Sequence, residues 1–303
     1  MKATMRIALV HNPRAGGKPH DREHLIQLLT AGGHTVEYFS AQDDWRRALP
    51  GAADLVAVAG GDGTVAAIAK ALAGRNVPIA VFPTGTANNI ATALGVADTA
   101  VEQLIGNLAK ASVRLFDCGI ARNARGSDRF LESVGAGLLS RVISVIERGH
   151  GAHVNEVDDP EQRIAAALNV FERELQTLVP VHCSLNIDGD DRSGRYLVIE
   201  VLNFGAAGPN LWLSPSGDGA DGRLDVVLVD ESGRSLLSDR LALYRSAPSR
   251  APTLPVKKAR TVTMRSADGD VHCDDALWEP DRSHREIELS IERGAIPFLV
   301  SGG

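Results

Sequence analysis

A glycine-rich loop with one carboxylate, Gly60-Gly61-Asp62-Gly63-Thr64, carries the strongest chemical signal in the sequence. It follows the apolar stretch 54–59, which predicts a strand, and precedes residues 65–72, whose pattern predicts a helix. Glycines let a backbone approach a phosphate closely, and the amides at a helix start attract an anion. Asp62 would repel a phosphate directly, which predicts a Mg²⁺ ion between the two. A tight turn with Asp62 or Thr64 as the helix cap is the alternative.

Two other loops also follow predicted strands. The loop Pro83-Thr84-Gly85-Thr86-Ala87-Asn88-Asn89 offers hydroxyls and amides for a phosphate or a base edge, although alone it is typical of an ordinary helix cap. The loop 12–18 lacks the spacing of a Walker motif, and residues 60–65 do not fit Gly-x-Gly-x-x-Gly, which disfavours a dinucleotide dehydrogenase. If their strands are neighbours, the glycine loop and the loop 83–89 share one crevice.

The elements that must position these loops alternate along the first 112 residues. Predicted strands cover 7–10, 34–40, 54–59 and 77–82, and predicted helices cover 21–31, 65–72 and 89–94. Short apolar strands alternating with helices predict an α/β domain with a parallel sheet and helices on both faces. Ligands bind such sheets at the carboxyl ends of the strands, where these loops lie.

Strand patterns dominate residues 113–293, which predicts a second, β-rich and sandwich-like domain. Predicted strands cover 112–123, 128–136, 181–188, 195–204, 223–229, 259–266 and 286–293, and predicted helices cover 138–148 and 161–179. Asp188-Gly189-Asp190-Asp191 predicts a hairpin turn. Residues 294–303 are expected to return to the first domain, which otherwise ends at residue 112.

Composition and charge narrow the function. Among 303 residues, 44% are apolar and 23% are charged, and the formal net charge of −6 disfavours non-specific nucleic-acid binding. Cys118, Cys183 and Cys273 lack metal-ligand spacing and are expected to be reduced thiols. No signal peptide and no long apolar run are evident, so we expect a cytoplasmic location, with peripheral contact to a membrane left open. Lys257-Lys258-Ala259-Arg260 either contacts anionic headgroups or forms a solvated edge strand.

Taken in order, Asn12-Pro13, the glycine loop and Pro83-x-Gly85-Thr86-x-Asn88 resemble the catalytic domain shared by diacylglycerol kinases, sphingosine kinases and bacterial lipid kinases. Later blocks resemble the same family, namely Asn203 with Gly208-Pro209, Leu213-Ser214-Pro215 and Asp221-Gly222-Arg223-Leu224-Asp225-Val226. The resemblance implies ATP in a cleft between two domains and transfer of its γ-phosphoryl group to a lipid hydroxyl, in phospholipid metabolism. A diacylglycerol-like acceptor and a sphingoid acceptor both remain open.

The resemblance also implies roles for individual residues. The implied nucleotide-binding set is Asn12, Ser40, Gly60, Gly61, Asp62, Gly63, Thr64, Gly85, Thr86 and Asn88. A structural Mg²⁺ in the second domain is implied to bind Asp218, Asp221 and Arg223, the last through its backbone carbonyl. An ordinary Asp/Gly turn is the alternative for this cluster.

Three departures from the family bear on activity. Ala66-Ala67 replaces Asn-Glu, Asn88-Asn89 replaces Asn-Asp, and Asp274-Asp275-Ala276 stands where the family has Asp-Gly-Glu. The glutamate expected to act as the catalytic base is therefore missing, in a register that Leu277 and Pro280 support. Asp274 and Asp275 are the candidate catalytic carboxylates. In an extended stretch only one of them faces the cleft, and Asp274 is favoured because it matches the family's own aspartate.

Two other functions remain open. An NAD kinase-like enzyme shares the glycine-aspartate loop, but its acceptor is a dinucleotide and its usual Asn-Glu motif is absent here. A non-catalytic nucleotide- or lipid-binding protein would explain the missing glutamate. For a kinase we expect a lipid partner reached at the membrane surface and no nucleic-acid partner, and a homodimer is compatible with the sequence.

Overall fold

The computed structural model of the protein describes residues 4–16, 21–43, 45–48, 53–149, 154, 157, 159–244, 250–267, 269–278 and 286–300. The chain divides into two compact units. The first contains Met1–Phe116, Asp158–Pro160 and Gly294–Gly303, and the second contains Asp117–Val157 and Glu161–Arg293.

The elements follow one another along the chain with strands in the majority. The strands are β1 (Arg6–His11), β2 (Thr35–Ser40), β3 (Leu55–Gly60), β4 (Ile79–Pro83), β5 (Ser112–Asn123), β6 (Gly126–Phe130), β7 (Ser133–Gly137), β8 (Val181–Ile187), β9 (Asp190–Asp191), β10 (Gly194–Tyr196), β11 (Val198–Leu202), β12 (Ala206–Ala207), β13 (Leu211–Trp212), β14 (Leu224–Val229), β15 (Val256–Ala259), β16 (Val262–Ser266), β17 (Val271–Cys273), β18 (Ala276–Trp278) and β19 (Glu286–Val300). The α-helices are α1 (Arg22–Ala31), α2 (Trp45–Ala48), α3 (Asp62–Leu72), α4 (Asn89–Ala93), α5 (Val101–Gly106), α6 (Leu138–Glu147), α7 (Pro160–Thr177) and α8 (Arg234–Tyr244).

The first unit is built on a parallel sheet with the strand order β2-β1-β3-β4-β19. All six residues of β3 are buried, as expected for a central strand that is covered on both faces. Residues 294–300 of β19 supply the last strand, with Phe298 opposite Ile79 of β4. The predicted α/β domain with a parallel sheet is confirmed. The predicted boundary at residue 112 lies at the first residue of β5.

The second unit contains an antiparallel sheet in the order β15-β14-β11-β7-β17-β18. Every residue of β11 is buried, because both faces of this sheet are covered. Val198 and Leu202 pack in a cluster with residues of α6, α7 and α8. Ile199 and Val201 face a cluster that includes β8, β16 and β19. The predicted β-rich, sandwich-like domain is therefore confirmed.

Differences from the predicted elements occur where long-range pairing breaks a local pattern. The predicted strand 128–136 is two strands, β6 and β7, and the predicted strand 195–204 is β10 and β11. The hairpin β17–β18 and helix α8 were missed. The predicted hairpin at Asp188 is confirmed, since Asp188 and Gly189 have φ of 51° and 94° and join β8 to β9. Among the described residues, no helix combines the length and the apolar character needed to cross a bilayer.

Candidate nucleotide site and acceptor turn

The glycine loop leaves β3 at the point where the strand order of the sheet reverses. Strand β1 has β2 on one side and β3 on the other, so the chain continues outward in both directions from this point. Asn12 follows β1, and its backbone N–H donates to the Ala59 carbonyl at 2.8 Å. Its side-chain Nδ2 donates to Thr64 Oγ1 at 3.1 Å. Asn12 and Thr64 therefore lie together at a topological switch point, where open α/β sheets bind ligands.

The three loops at this edge of the sheet pack directly against one another. A Cβ atom on Gly85 would lie 2.3 Å from the Cα of Gly61, so both positions require glycine for the loops to meet. Gly16 has a φ of 61°, and a Cβ there would lie 2.3 Å from the Thr84 carbonyl oxygen. Loop packing alone thus explains glycine at these three positions, without a ligand.

Asp62 caps helix α4 and not its own helix α3. Its Oδ1 accepts the backbone N–H of Ile90 at 2.9 Å, and the amides of Asn88 and Asn89 also interact with this carboxylate. Burial raises the pKa of Asp62 above its ordinary value, while these amides oppose the increase. The amides that the sequence offered for a phosphate at the start of α4 are used by Asp62 in this structure.

Asn88 and Ser40, which were also predicted to bind the nucleotide, make hydrogen bonds within their own loops. Asn88 has a φ of 52° and closes its own loop, since its Oδ1 accepts from Gly85 N at 3.0 Å and its Nδ2 donates to Gly85 O at 3.1 Å. Thr86 lies half-buried within this closed loop. Ser40 accepts the backbone N–H of Gln42 on its Oγ at 3.2 Å. These contacts account for Asn88 and Ser40 without assigning them a ligand.

A cavity of about 320 Å³ opens beside the start of α3. Its lining residues are Asn12, Arg14, Ala41, Gln42, Trp45, Arg46, Gly63, Thr64, Ala67 and Ile68. Of the predicted nucleotide residues, only Asn12, Gly63 and Thr64 are in this lining. Ala67 leaves space where the family has a glutamate.

Two arginines and a tryptophan were missed by the sequence reasoning. Trp45 is 3% exposed, and the guanidinium carbon of Arg46 lies 4.5 Å from the centroid of its ring. Arg14 lies in the loop 12–18, which was not predicted to bind phosphate because it lacks the spacing of a Walker motif. Trp45 and Arg46 belong to α2, which is too short to show a helical period. Guanidinium groups suit phosphate oxygens, so the cavity has the cations that the glycine loop itself lacks.

Asp274 and Asp275 form the turn of the hairpin β17–β18, with Cys273 opposite Ala276. The two aspartates are the turn residues themselves, so the argument that successive strand positions face opposite sides does not apply to them. Asp274 has a φ of 53° and is buried, whereas Asp275 and Ala276 are exposed. Pro280, which supported the register, lies outside the described residues.

The Asp274 carboxylate holds this turn in place. Its Oδ1 accepts the backbone N–H of Leu131 at 2.9 Å and of Glu132 at 2.8 Å. The backbone N–H of Asp274 donates to the Ser133 carbonyl at 2.8 Å. One oxygen of the favoured catalytic carboxylate thus has a structural role, and Asp275 has the exposed carboxylate.

The predicted metal ligands of the second unit, Asp218, Asp221 and Arg223, are engaged in local hydrogen bonds, and Asp221 is also ion-paired. Asp218 Oδ1 accepts from Ala220 N at 3.0 Å, and Asp221 Oδ1 accepts from Arg223 N at 2.9 Å. The Lys258 ammonium lies 2.6 Å from Asp221 Oδ2 and 2.9 Å from Asp225 Oδ1. Within the described ranges, no cluster of three or more His, Cys, Asp or Glu side chains could hold a metal ion. As arranged, the Asp221 carboxylate does not fit a metal, because the Lys258 ammonium already supplies a positive charge beside it.

The basic stretch 257–260 is part of an edge strand. Lys257 is ion-paired with Asp190, and Lys258 is ion-paired with Asp221 and Asp225. Strand β15 lies at the edge of the six-stranded sheet. Both lysines thus have carboxylate partners, which favours the solvated edge strand over a headgroup-binding patch.

The second unit also encloses a small cavity of about 30 Å³ with mainly apolar walls. Its lining residues are Leu138, Leu139, Phe171, Val198, Glu200, Ala207, Leu211, Leu213, Leu237, Arg240 and Leu241. A cavity of this size accommodates about two water-sized groups, so an acyl chain would have to displace side chains. Glu200 and Arg240 are the charged residues of this lining.

A parallel α/β unit with a glycine-aspartate loop at its switch point, joined to an antiparallel β unit, defines the class of this protein. Residues 6–121 match the family Diacylglycerol kinase catalytic domain, and residues 144–276 match the YegS C-terminal NAD kinase beta sandwich-like domain. Together the two matches cover most of the chain. Residues 6–121 therefore belong to the diacylglycerol kinase catalytic-domain family, and residues 144–276 belong to the YegS C-terminal domain family.

Other proteins are similar to this chain over most of its length. A diacylglycerol kinase of Mycobacterium tuberculosis is 24% identical over 85% of this chain and 77% of its own length. A probable YegS-like lipid kinase of Stenotrophomonas maltophilia is 26% identical over 88% of this chain and 90% of its own length. The crystal structure of a diacylglycerol kinase from Bacillus anthracis superposes with a TM-score of 0.74 at 20% identity over 98% of both chains. Yeast NADH kinase has a more distant likeness in fold, with a TM-score of 0.55 at 10% identity over 100% of this chain and 84% of its own.

Proposed function

We propose that this protein is an ATP-dependent lipid kinase that transfers the γ-phosphoryl group of ATP to a lipid hydroxyl. The observation that carries the proposal is the cavity beside Gly63 and Thr64, which lies at the switch point of the sheet and includes Arg14 and Arg46. Membership of a kinase family supports phosphoryl transfer, which depends mainly on positioning and on stabilisation of charge.

The residues of the cavity suit the parts of ATP. Arg14 and Arg46 offer guanidinium groups to the phosphates, and the start of α3 adds its positive dipole end. Mg²⁺, when bound, would neutralise the charge that develops on the phosphates. Asp62 would be the carboxylate of the glycine loop that holds that ion, in addition to accepting the N–H of Ile90.

The acceptor is assigned to lipids because relatives across most of this chain are named diacylglycerol kinase or lipid kinase. The apolar cavity around Leu211 and Leu213, which flank Trp212, is the candidate contact for an acyl chain. A protein of this activity meets its acceptor at a membrane surface. Diacylglycerol-like and sphingoid acceptors are both retained for the experiment.

A binding protein without turnover is the second candidate function. The observation in its favour is the turn 274–276, where Ala276 has no carboxylate and Asp274 is hydrogen-bonded to two amides. An NAD kinase-like reaction has weaker support, since the likeness to yeast NADH kinase concerns the fold alone.

The test is transfer from γ-labelled ATP with Mg²⁺ to a panel of diacylglycerol, sphingosine and NAD in detergent micelles. Labelled lipid is the expected product. ATP binding without any product would favour the binding protein, labelled NAD would favour the dinucleotide enzyme, and absence of ATP binding would remove the proposal.

A matched pair of arginine variants tests the nucleotide cavity itself. We expect Arg46→Gln to weaken ATP binding about tenfold or more, because a charge-assisted hydrogen bond contributes about 1.5–3 kcal/mol. Arg75→Gln removes the same charge from an exposed position outside the cavity and is expected to bind ATP like the wild type. Equal ATP affinity of both variants in calorimetry would place the nucleotide elsewhere.

A further inference from the structure

A fully buried histidine–glutamate pair lies directly behind the turn 274–276. Glu200 and His272 are both 0% exposed. The His272 Nε2 atom lies 3.1 Å from each carboxylate oxygen of Glu200. Its Nδ1 atom lies 2.9 Å from the backbone carbonyl oxygen of Asp274. The ring therefore connects a buried carboxylate to the candidate acceptor turn.

The partners of His272 determine where its protons lie. A backbone carbonyl only accepts, so Nδ1 carries a hydrogen and donates it to Asp274. An ionised Glu200 also only accepts, in which case Nε2 donates to it and the ring is an imidazolium. Burial is the largest effect and disfavours the charged ring, but Glu200 and Asp274 together outweigh it and raise the pKa of His272 above its ordinary value. The pair is thus a neutral unit that holds both of its hydrogen bonds.

The register of three strands makes room for the pair. Gly135 of β7 stands opposite Glu200 of β11 on one side and opposite His272 of β17 on the other. Strands two places apart in a sheet are about 9.5 Å from each other, so the two side chains must reach across the middle strand. A Cβ atom on Gly135 would lie 2.6 Å from Glu200 Oε1 and 2.4 Å from the Ile199 carbonyl oxygen. Glycine in this central strand is therefore what allows the pair to form.

Three groups of Asp274 hold the turn through hydrogen bonds, and one of these bonds comes from His272. The carbonyl of Asp274 accepts from His272, its N–H donates to Ser133, and its carboxylate accepts from Leu131 and Glu132. A non-glycine residue with a φ of 53° is held in this region only when its surroundings restrain it. The charged ring donates the hydrogen bond that ties this turn to the core of the sheet.

Other charged groups near the pair are few. Glu200 lines the apolar cavity together with Arg240 of α8, a buried residue whose guanidinium donates to the carbonyls of Pro252 and Trp212. On the other side, the Asp274 carboxylate acts on His272. Arg240 is thus committed to carbonyls, and the charge balance of His272 depends on Glu200 first.

We propose that Glu200 and His272 are positioning residues for the turn 274–276, which they fix through the Asp274 carbonyl. The proposal rests on the lipid kinase function, since that function makes the turn the place where the acceptor hydroxyl is activated. The pair touches no substrate in this account. It sets the distance and direction of the residues at the turn, and catalysis is sensitive to small errors in both.

The experiment compares Glu200→Ala and Glu200→Gln with Val201→Ala, a control that creates a cavity in the same buried strand on the opposite face. Hydrogen exchange is followed at the amides of Leu131, Glu132 and Asp274, which report the position of the turn. We expect exchange at these amides to be about tenfold or more faster in Glu200→Ala than in Val201→Ala, with Glu200→Gln in between. We also expect the ¹⁵N shifts of His272 to show an imidazolium in the wild type and a neutral ring in Glu200→Gln.

Kinetics separate this proposal from the proposed function. If the wild type turns over, Glu200→Gln should lower kcat while the KM for ATP stays unchanged, because the turn and not the nucleotide cavity is disturbed. If the wild type shows no kinase activity, the proposed function fails, and the amide exchange still decides whether the pair positions the turn. Equal exchange at the three amides in Glu200→Ala and Val201→Ala would overturn the positioning role. If Glu200→Ala does not fold, Glu200→Gln and the His272 spectra decide in its place.

Discussion

The side chains of Asp62 and Asp274 each belong to one loop and hydrogen-bond to the backbone of another segment. Asp62 belongs to the glycine loop by sequence, yet its oxygen holds the start of α4. Asp274 belongs to the turn of the hairpin β17–β18, yet its oxygen holds the segment at Leu131 and Glu132. A substitution at either aspartate therefore changes chemistry and structure together, and variants that preserve the hydrogen bond are needed to separate the two.

Two substitutions at Asp62, to Asn and to Ala, separate its role in cation binding from its role as a helix cap. Asp62→Ala leaves the amides of α4 without their acceptor, and loss of such a cap typically costs about 1 kcal/mol. Asp62→Asn keeps an acceptor oxygen and should melt closer to the wild type. If Asp62 meets Mg²⁺, both variants should lose Mg·ATP binding, as calorimetry with and without Mg²⁺ would show. Wild-type Mg·ATP affinity in Asp62→Asn would assign Asp62 to structure alone.

At Ala276 the test is to restore the missing carboxylate. Ala276 is exposed at the start of β18, so Ala276→Glu should change stability by no more than about 0.5 kcal/mol. A positioned base contributes about 10²–10⁴ in rate, so we expect Ala276→Glu to raise kcat by about 10² in the lipid assay. Asp275→Ala and Asp274→Asn, measured beside it, show which aspartate supports the wild-type rate. Equal rates in all four proteins would place the base away from this turn.

Whole loops and strands, rather than single residues, create the charge pattern of the second unit. Strand β15 brings Lys258 to the carboxylates of Asp221, in a turn, and of Asp225, in β14. Burial lowers the pKa of Lys258, but its two carboxylate partners outweigh burial and the net effect is an increase. A divalent cation at this turn would have to displace the ammonium.

Removal of the ammonium therefore tests the proposed cation site. In Lys258→Met the two carboxylates are left unpaired, and the melting temperature should fall below that of the wild type. If Asp218, Asp221 and Arg223 can bind a cation, added Mg²⁺ should raise the melting temperature of Lys258→Met more than that of the wild type, and a chelator should reverse the increase. Lys257→Met, which removes a neighbouring charge, is the control. Mg²⁺ that stabilises neither Lys258→Met nor the wild type would remove the metal proposal.

The whole molecule depends on the two ends of its chain meeting in one sheet. Phe298 and Leu299 of β19 pair with β4, and both Ile296 and Phe298 are fully buried in the first unit. Phe298 also makes an edge-to-face contact with Phe116, with ring centroids 5.6 Å apart. The nucleotide cavity thus belongs to a unit that is completed by the last strand.

Truncation after residue 293 should therefore impair the first unit. The truncated chain exposes the edge of β4 and removes two large buried side chains, and each such loss typically costs about 2–5 kcal/mol. We expect loss of ATP binding and of cooperative unfolding, measured by calorimetry and circular dichroism. Truncation after residue 300 keeps the strand and is the control. A chain ending at 293 that still binds ATP like the wild type would contradict this account.

The pH dependence of the free energy of unfolding tests whether His272 is protonated beside Glu200 in the folded protein. The folded state favours protonated His272, so its stabilisation is complete below the ordinary pKa of about 6.5 and is lost as pH rises through the higher folded pKa. Between pH 6 and pH 9 the free energy of unfolding should therefore fall more steeply in the wild type than in Glu200→Gln. Urea unfolding across this range is the measurement, and parallel curves for the two proteins would contradict the assigned charge.

Short-range patterns were enough to predict the alternating elements, the α/β and β-rich domains and the hairpin at Asp188. They could do so because helix period, strand burial and turn residues act between near neighbours in the chain. The ordered loops also identified the family. The glycine loop was predicted as a phosphate site, which remains a proposal, while close packing against Gly85 favours glycine at position 61 without a ligand.

Only the tertiary structure decided which side chains meet. Asp62 and Ile90 are 28 residues apart, Lys258 and Asp221 are 37 apart, and Glu200 and His272 are 72 apart. Such partners are selected by strand order and register, which place residues opposite one another regardless of their local sequence. The hairpin β17–β18 was missed for the same reason, since its strands have only three residues each and form by pairing, β17 with β7 and β18 with β17, and not from a pattern of their own.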